Sequence, residues 1–140
     1  MKAISTPHAP GAIGPYSQAI SAGGFVFLSG QIPLNPKSGV MIRDEEGFQD
    51  RAKANPGGQV ALETEQVMRN LQAVLEAAGL SFKNVVRSTI FLSDLSHFAV
   101  VNEIYAKHFT EGPPPARATV QVAALPRASL VEIDMIAHAG

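Results

Sequence analysis

The chain has 140 residues, 46% of them hydrophobic and only 16% charged, with a net charge of −1 and no cysteine. This balance excludes a disordered chain, which needs low hydrophobicity and high charge, and it gives no basic excess for a nucleic-acid backbone or an anionic membrane surface. Disulfides, thiolate metal sites and cysteine nucleophiles are ruled out, and no apolar run approaches the ~20 residues that span a bilayer. The N-terminus lacks the apolar core of a signal peptide, so a cytoplasmic location is expected. The length suits one domain over residues 1–140. So few charges on so small a domain predict burial between subunits, hence an oligomer.

Tyr16 to Ile20 and Phe25 to Ser29 read as two strands. Ser21-Ala22-Gly23-Gly24 between them supplies a hairpin turn, because glycine tolerates positive φ. Pro33 and Pro36 remove ladder donors and end the second strand. Lys37 to Gly58 holds 8 of the 23 charged residues and closes on Asn55-Pro56-Gly57-Gly58, a turn signal. It is expected to be an exposed, charged loop insertion (about residues 38–58), either a solvated rim or a lid.

A helix is predicted from Gln59 to Ala78, where Val60, Thr64, Val67, Met68, Leu71, Val74, Leu75 and Ala78 recur at helical spacing. Gly79 stands where a C-terminal cap belongs. Asn84 to Leu92 reads as a strand, and Ser93, Asp94 and Ser96 offer N-caps for a second helix. That helix has an apolar face of Phe98, Val101, Ile104 and Tyr105, continued by His108 or Phe109. Two last strands, Arg117 to Ala124 and Leu130 to His138, meet at a turn around Pro126. The order β-β-α-β-α-β-β predicts a two-layer α+β fold with helices on one face of a mixed, mostly antiparallel sheet.

By the period-2 rule Arg117, Thr119 and Gln121 share one side of their strand, and Glu132, Asp134 and His138 share one side of the next. A guanidinium and a carboxylate thus stand on consecutive strands. They form either a cross-strand ion pair, worth ~0.2–1 kcal/mol when exposed, or an anion clamp, for which the planar fork of Arg is suited. Pro113-Pro114-Pro115 stiffens the approach to Arg117. Tyr16 is either strand packing or a hydroxyl at a pocket wall. Asn102 is a solvated or capping residue by default. Ser29-Gly30 permits close approach of backbone to a ligand. The four histidines lack metal-binding spacing, and no phosphate loop, GxGxxG or GxSxG motif is present. No metal and no cofactor are expected.

Together these motifs carry a resemblance. Ala12-Ile13-Gly14-Pro15-Tyr16-Ser17-Gln18-Ala19, Phe27-Leu28-Ser29-Gly30-Gln31-Ile32-Pro33, Leu75-Glu76-Ala77-Ala78-Gly79-Leu80 and Thr89-Ile90-Phe91-Leu92-Ser93-Asp94-Leu95 occur in order, followed by Val101-Asn102-Glu103-Ile104-Tyr105, Pro115-Ala116-Arg117 and Val131-Glu132-Ile133. Over nearly its whole length the chain resembles the RidA/YjgF family of imine deaminases. The resemblance implies a chorismate-mutase-like fold assembled as a homotrimer, with ligand pockets between subunits. It also implies hydrolysis of 2-iminobutanoate, 2-iminopropanoate and related 2-imino acids to 2-oxo acids and ammonia.

Carried over by position, Arg117 matches the arginine that grips the substrate carboxylate, Glu132 the acid near the bound water and Tyr16 the pocket tyrosine. Ser29 and Asn102 match positions on the neighbouring side of the pocket, with Gly30 in the loop beside them. Thr119 stands where better-known members have a cysteine and would serve through its backbone N–H. The Gly39–Gly58 segment is longer than in the family's short members. Two other functions compete: a non-catalytic trimer that binds small carboxylates, and an RNA-cleaving translation inhibitor, which the lack of basic charge disfavours.

Overall fold

The computed structural model describes all residues, 1–140. Its strands are β1 (Lys2–Ile4), β2 (Ala19–Ala22), β3 (Phe25–Gln31), β4 (Val85–Leu92), β5 (Ala116–Gln121) and β6 (Val131–His138). Its helices are α1 (Phe48–Ala54), α2 (Gly58–Ala77) and α3 (Phe98–Ala106). The strands form one sheet in the order β1-β2-β3-β6-β4-β5. All pairs are antiparallel except β4–β5. That one parallel pair needs a crossover, and α3 lies within it.

The α2 helix covers one face of the sheet. Val67, Met68, Leu71, Val74 and Leu75 are fully buried at i, i+3, i+4 and i+7 spacing. They share a core with Val26 and Leu28 of β3 and with Val131, Ile133, Met135 and Ala137 of β6. The other face is open, and on it Phe25, Phe27 and Val120 remain exposed. The helix stops in a paired motif: the Leu80 amide donates to Leu75 and the Gly79 amide to Glu76, both at 2.9 Å, with Gly79 at φ 75°. A Cβ at Gly79 meets nothing within 4 Å, so its only cost is conformational. Gly79→Ala is expected to lower stability by about 1 kcal/mol, measured as a shift in the denaturant midpoint with an unchanged slope.

Three features depart from the expected elements. The N-terminal strand β1, only three residues long, was not foreseen. The segment 16–20 is strand only from Ala19, because Gly14 (φ 108°) and the turn after it keep Tyr16 out of the ladder. The charged segment is not a uniformly exposed loop. Phe48 and Ala52, one turn apart on α1, bury themselves with Ile42 against Leu62 of α2, and Met41 is also buried and bridges to Leu34. Its charges lie toward the outer surface while Met41, Ile42, Phe48 and Ala52 anchor it.

Candidate functional site

The β3 strand carries a one-residue bulge: Leu28 faces Met135 and Gln31 faces Ile133, so Ser29 and Gly30 span one partner fewer than a regular ladder would give. Ser29 is pinned there, its hydroxyl donating to the Ser17 carbonyl at 2.6 Å and its amide to the Gln18 carbonyl at 3.0 Å. Gly30 lets the Glu132 carboxylate lie directly against the backbone, and a Cβ there would push that side chain out of its place. Gln18 is buried, and its side chain donates to the carbonyls of Thr6, Ala9 and Pro10 and accepts from the Thr6 amide. It thereby fixes the 6–10 segment, whose Pro10 lines a cavity together with Gln18 itself.

That cavity has a volume of about 540 Å³ and is lined by Tyr16, Ser29, Gly30, Glu132 and Arg127 among others. Tyr16 is half exposed, at 52%. Burial pushes the Glu132 carboxyl above the ordinary glutamate range, and the charge of Asp134, two residues along the same strand face, pushes it further.

Arg117 lies elsewhere. In the β4–β5 register it stands beside Ser88, a fully buried residue on the core face, whereas Glu132 stands beside Phe91 on the open face. Strand β4 also separates β5 from β6. Consecutive in the chain, the two strands are not neighbours in the sheet, and the expected cross-strand contact of Arg117 with Glu132 does not form. The chain's one ion pair joins Arg43 to Asp44.

Arg117 is instead built into a second recess with Asn102, Tyr105, Phe109, Pro114 and Pro115. Its Nη1 donates to Asn102 Oδ1 at 2.7 Å, and its guanidinium lies 5.2 Å from the Tyr105 ring centroid and 5.6 Å from that of Phe98. Phe98, Asn102 and Tyr105 fall at i, i+4 and i+7, one face of α3, so a single helix face aims the arginine. Tyr105 is itself locked, donating to Ser88 Oγ at 2.9 Å. Thr119 shares the Arg117 side of β5, and its buried hydroxyl has no hydrogen-bond partner. Arg117 thus has an oriented, exposed fork with no carboxylate to satisfy it.

The sequence-predicted residues therefore fall into two half-sites. Tyr16, Ser29, Gly30 and Glu132 share one cavity, while Arg117 and Asn102 share the other recess, with Thr119 on the Arg117 side of β5 but outside the recess lining. Ser29 and Asn102, expected on the same side, are separated. Sequence reasoning missed the roles of Tyr105 and Phe98 as platforms for Arg117, although the helical spacing that grouped them was visible. It also missed Gln18 and Arg127, which carry no local signal. The first half-site supplies a carboxylate of raised pKa beside a close backbone approach. The second supplies a cation suited to a planar anion.

A family model described as Endoribonuclease L-PSP matches residues 6–139. The chain is 56% identical over 138 residues to Protein DfrA of Myxococcus xanthus, spanning 97% of this chain and 94% of that protein. It is 48% identical over 139 residues to the 2-iminobutanoate/2-iminopropanoate deaminase of Mus musculus, spanning 99% and 92%. Among solved structures, E. coli TdcF with bound serine matches with a TM-score of 0.83 at 38% identity, over 99% of this chain and 98% of that one.

Proposed function

The chain belongs to the endoribonuclease L-PSP family, also called RidA/YjgF, and from that premise we propose that it is a 2-imino acid deaminase acting on 2-iminobutanoate and 2-iminopropanoate. The observation that carries this reading is the pair of half-sites, each chemically incomplete alone. A 2-imino acid offers a carboxylate beside an electrophilic C=N carbon. Arg117 would take the carboxylate and Glu132 would serve the carbon, but one chain keeps them on opposite faces of its sheet. The site is completed when the Arg117 recess of one subunit meets the Glu132 cavity of the next. The exposed Phe25, Phe27 and Val120 on the open sheet face provide apolar surface for such an assembly, proposed here as a homotrimer.

In the proposed reaction Arg117 holds the carboxylate by charge-assisted hydrogen bonds, which fixes the C=N carbon for attack. Glu132 takes a proton from water as the oxygen adds to that carbon and passes it to the imine nitrogen, giving a carbinolamine. Glu132 then takes the carbinolamine hydroxyl proton as the C=O bond forms and the C–N bond breaks. It delivers that proton to the departing nitrogen, leaving a 2-oxo acid and ammonia. Tyr16 hydrogen-bonds the ligand, and Gly30, Asn102 and the Thr119 amide line its path. The imine is already activated, so the proposal invokes no cofactor.

The raised pKa of Glu132 sets the direction of the pH dependence. A carboxylate base is lost as pH falls through its pKa. The acid limb of kcat/KM is therefore expected above the ordinary glutamate value of ~4.3. Asp134→Asn removes a like charge and should move that limb to lower pH in a steady-state profile.

The reading is tested by ammonia release from freshly generated 2-iminobutanoate, with and without protein. Acceleration supports it, and none from correctly assembled protein overturns it. A competing reading, carboxylate binding without turnover, is favoured by the serine bound to E. coli TdcF. It predicts ligand-dependent thermal stabilisation with no ammonia. For RNA cleavage, which the family's description carries, a net charge of −1 supplies no electrostatic footprint.

A further inference from the structure

The Glu132 cavity holds one cation that the mechanism above does not use. Arg127 lines it together with Pro126, Ile32 and Leu34, on the turn that leads into β6. Arg127 and Ala128 both adopt left-handed backbone, at φ 54° and 53°, the chain's only non-glycine residues to do so. Such conformations persist where the surroundings over-determine them, and here the restraints are visible. Arg43, from the charged segment, donates to the carbonyls of both Arg127 and Ala128, the latter at 2.9 Å. Glu63, fully buried in α2, accepts the Leu130 amide at 2.8 Å. In return Arg127 Nη1 donates to the Gly39 carbonyl at 3.3 Å. The turn is clasped from two sides, and the charged segment supplies one half of the clasp.

The held guanidinium has no carboxylate partner. It forms no ion pair with Glu132, and only one of its five N–H donors is used within the chain. Arg127 is the only cationic residue lining the cavity, and Glu132 is the only anionic one.

We propose that Arg127 forms a distal anion subsite, so that the cavity takes 2-imino dicarboxylic acids, with the side-chain carboxylate on Arg127 and the reacting carbon beside Glu132. This rests on the deaminase reading for its chemistry, with the α-carboxylate on the partner subunit's Arg117.

The test compares imines generated in situ from glutamate and from 2-aminobutanoate, in wild type and in Arg127→Gln. Wild type is expected to favour the glutamate-derived imine in kcat/KM, and the variant to lose that preference by about tenfold or more. Absence of a preference, or an equal loss on both substrates, overturns the subsite while leaving the deaminase reading intact. If neither imine is turned over, the deaminase reading fails and calorimetric binding decides the subsite. Tighter binding of 2-oxoglutarate than of 2-oxobutanoate, abolished in Arg127→Gln, supports it. Equal binding overturns it.

Discussion

Arg117→Ala is expected to lower kcat/KM for 2-iminobutanoate by about 100-fold or more. Two effects combine: the lost charge-assisted grip on the carboxylate and the loss of the geometry that holds the C=N carbon in place, where a small misplacement alone costs ~10². The side chain is exposed and free of any carboxylate in the chain, and its partners are Asn102, whose Oδ1 it meets at 2.7 Å, and the faces of Tyr105 and Phe98. The thermal midpoint should therefore change little while activity collapses. Arg117→Lys should not restore it. An ammonium is a point donor, and both the planar fork and its packing over Tyr105 and Phe98 would be gone. Steady-state kinetics at saturating and limiting imine check this, with the loss expected in both kcat and KM.

Glu132→Gln is expected to lower kcat by about 10²–10⁴-fold, the range for removing a general acid–base group. Glutamine keeps the shape that fits against Gly30, but it neither takes nor returns a proton. The variant should fold normally and still bind 2-oxobutanoate, so calorimetry separates lost chemistry from lost binding. Removing the half-buried charge also relieves the desolvation and the repulsion from Asp134 that raise the pKa. A carboxyl of raised pKa opposes folding when ionised, at pH above that pKa, and this burden disappears as pH falls through it. The stability gain of Glu132→Gln over wild type is thus expected at neutral pH and should fade in acid.

Much of the architecture is legible in the residues because burial writes a period. The helix α2 is readable from its apolar spacing, and its end from Gly79. Strand β6 alternates Val131, Ile133, Met135 and Ala137 with Glu132, Asp134, Ile136 and His138, and the structure fully buries only the first set. What escapes is information carried by topology. Sequence spacing puts Arg117 and Glu132 on consecutive strands, but the order β6-β4-β5 and the register against Ser88 and Phe91 decide that they point to opposite sides. The charged segment misleads for another reason. Its anchors, Met41, Ile42, Phe48 and Ala52, are too few and too short in span for periodicity to stand out against eight charges. Arg127 is invisible in one dimension, because its importance lies in a left-handed turn held by Arg43 from 84 positions away.

The central claim is that one active site needs Arg117 from one subunit and Glu132 from another. It is tested most directly by mixing the two inactive variants. Arg117→Ala and Glu132→Gln are unfolded together, refolded as mixed oligomers and assayed for ammonia release from 2-iminobutanoate. Random assembly pairs an intact Arg117 with an intact Glu132 in about a quarter of interfaces, so activity near that fraction of wild type should reappear. Activity no greater than the sum of the separate variants, from mixed oligomers verified by mass, would contradict the claim.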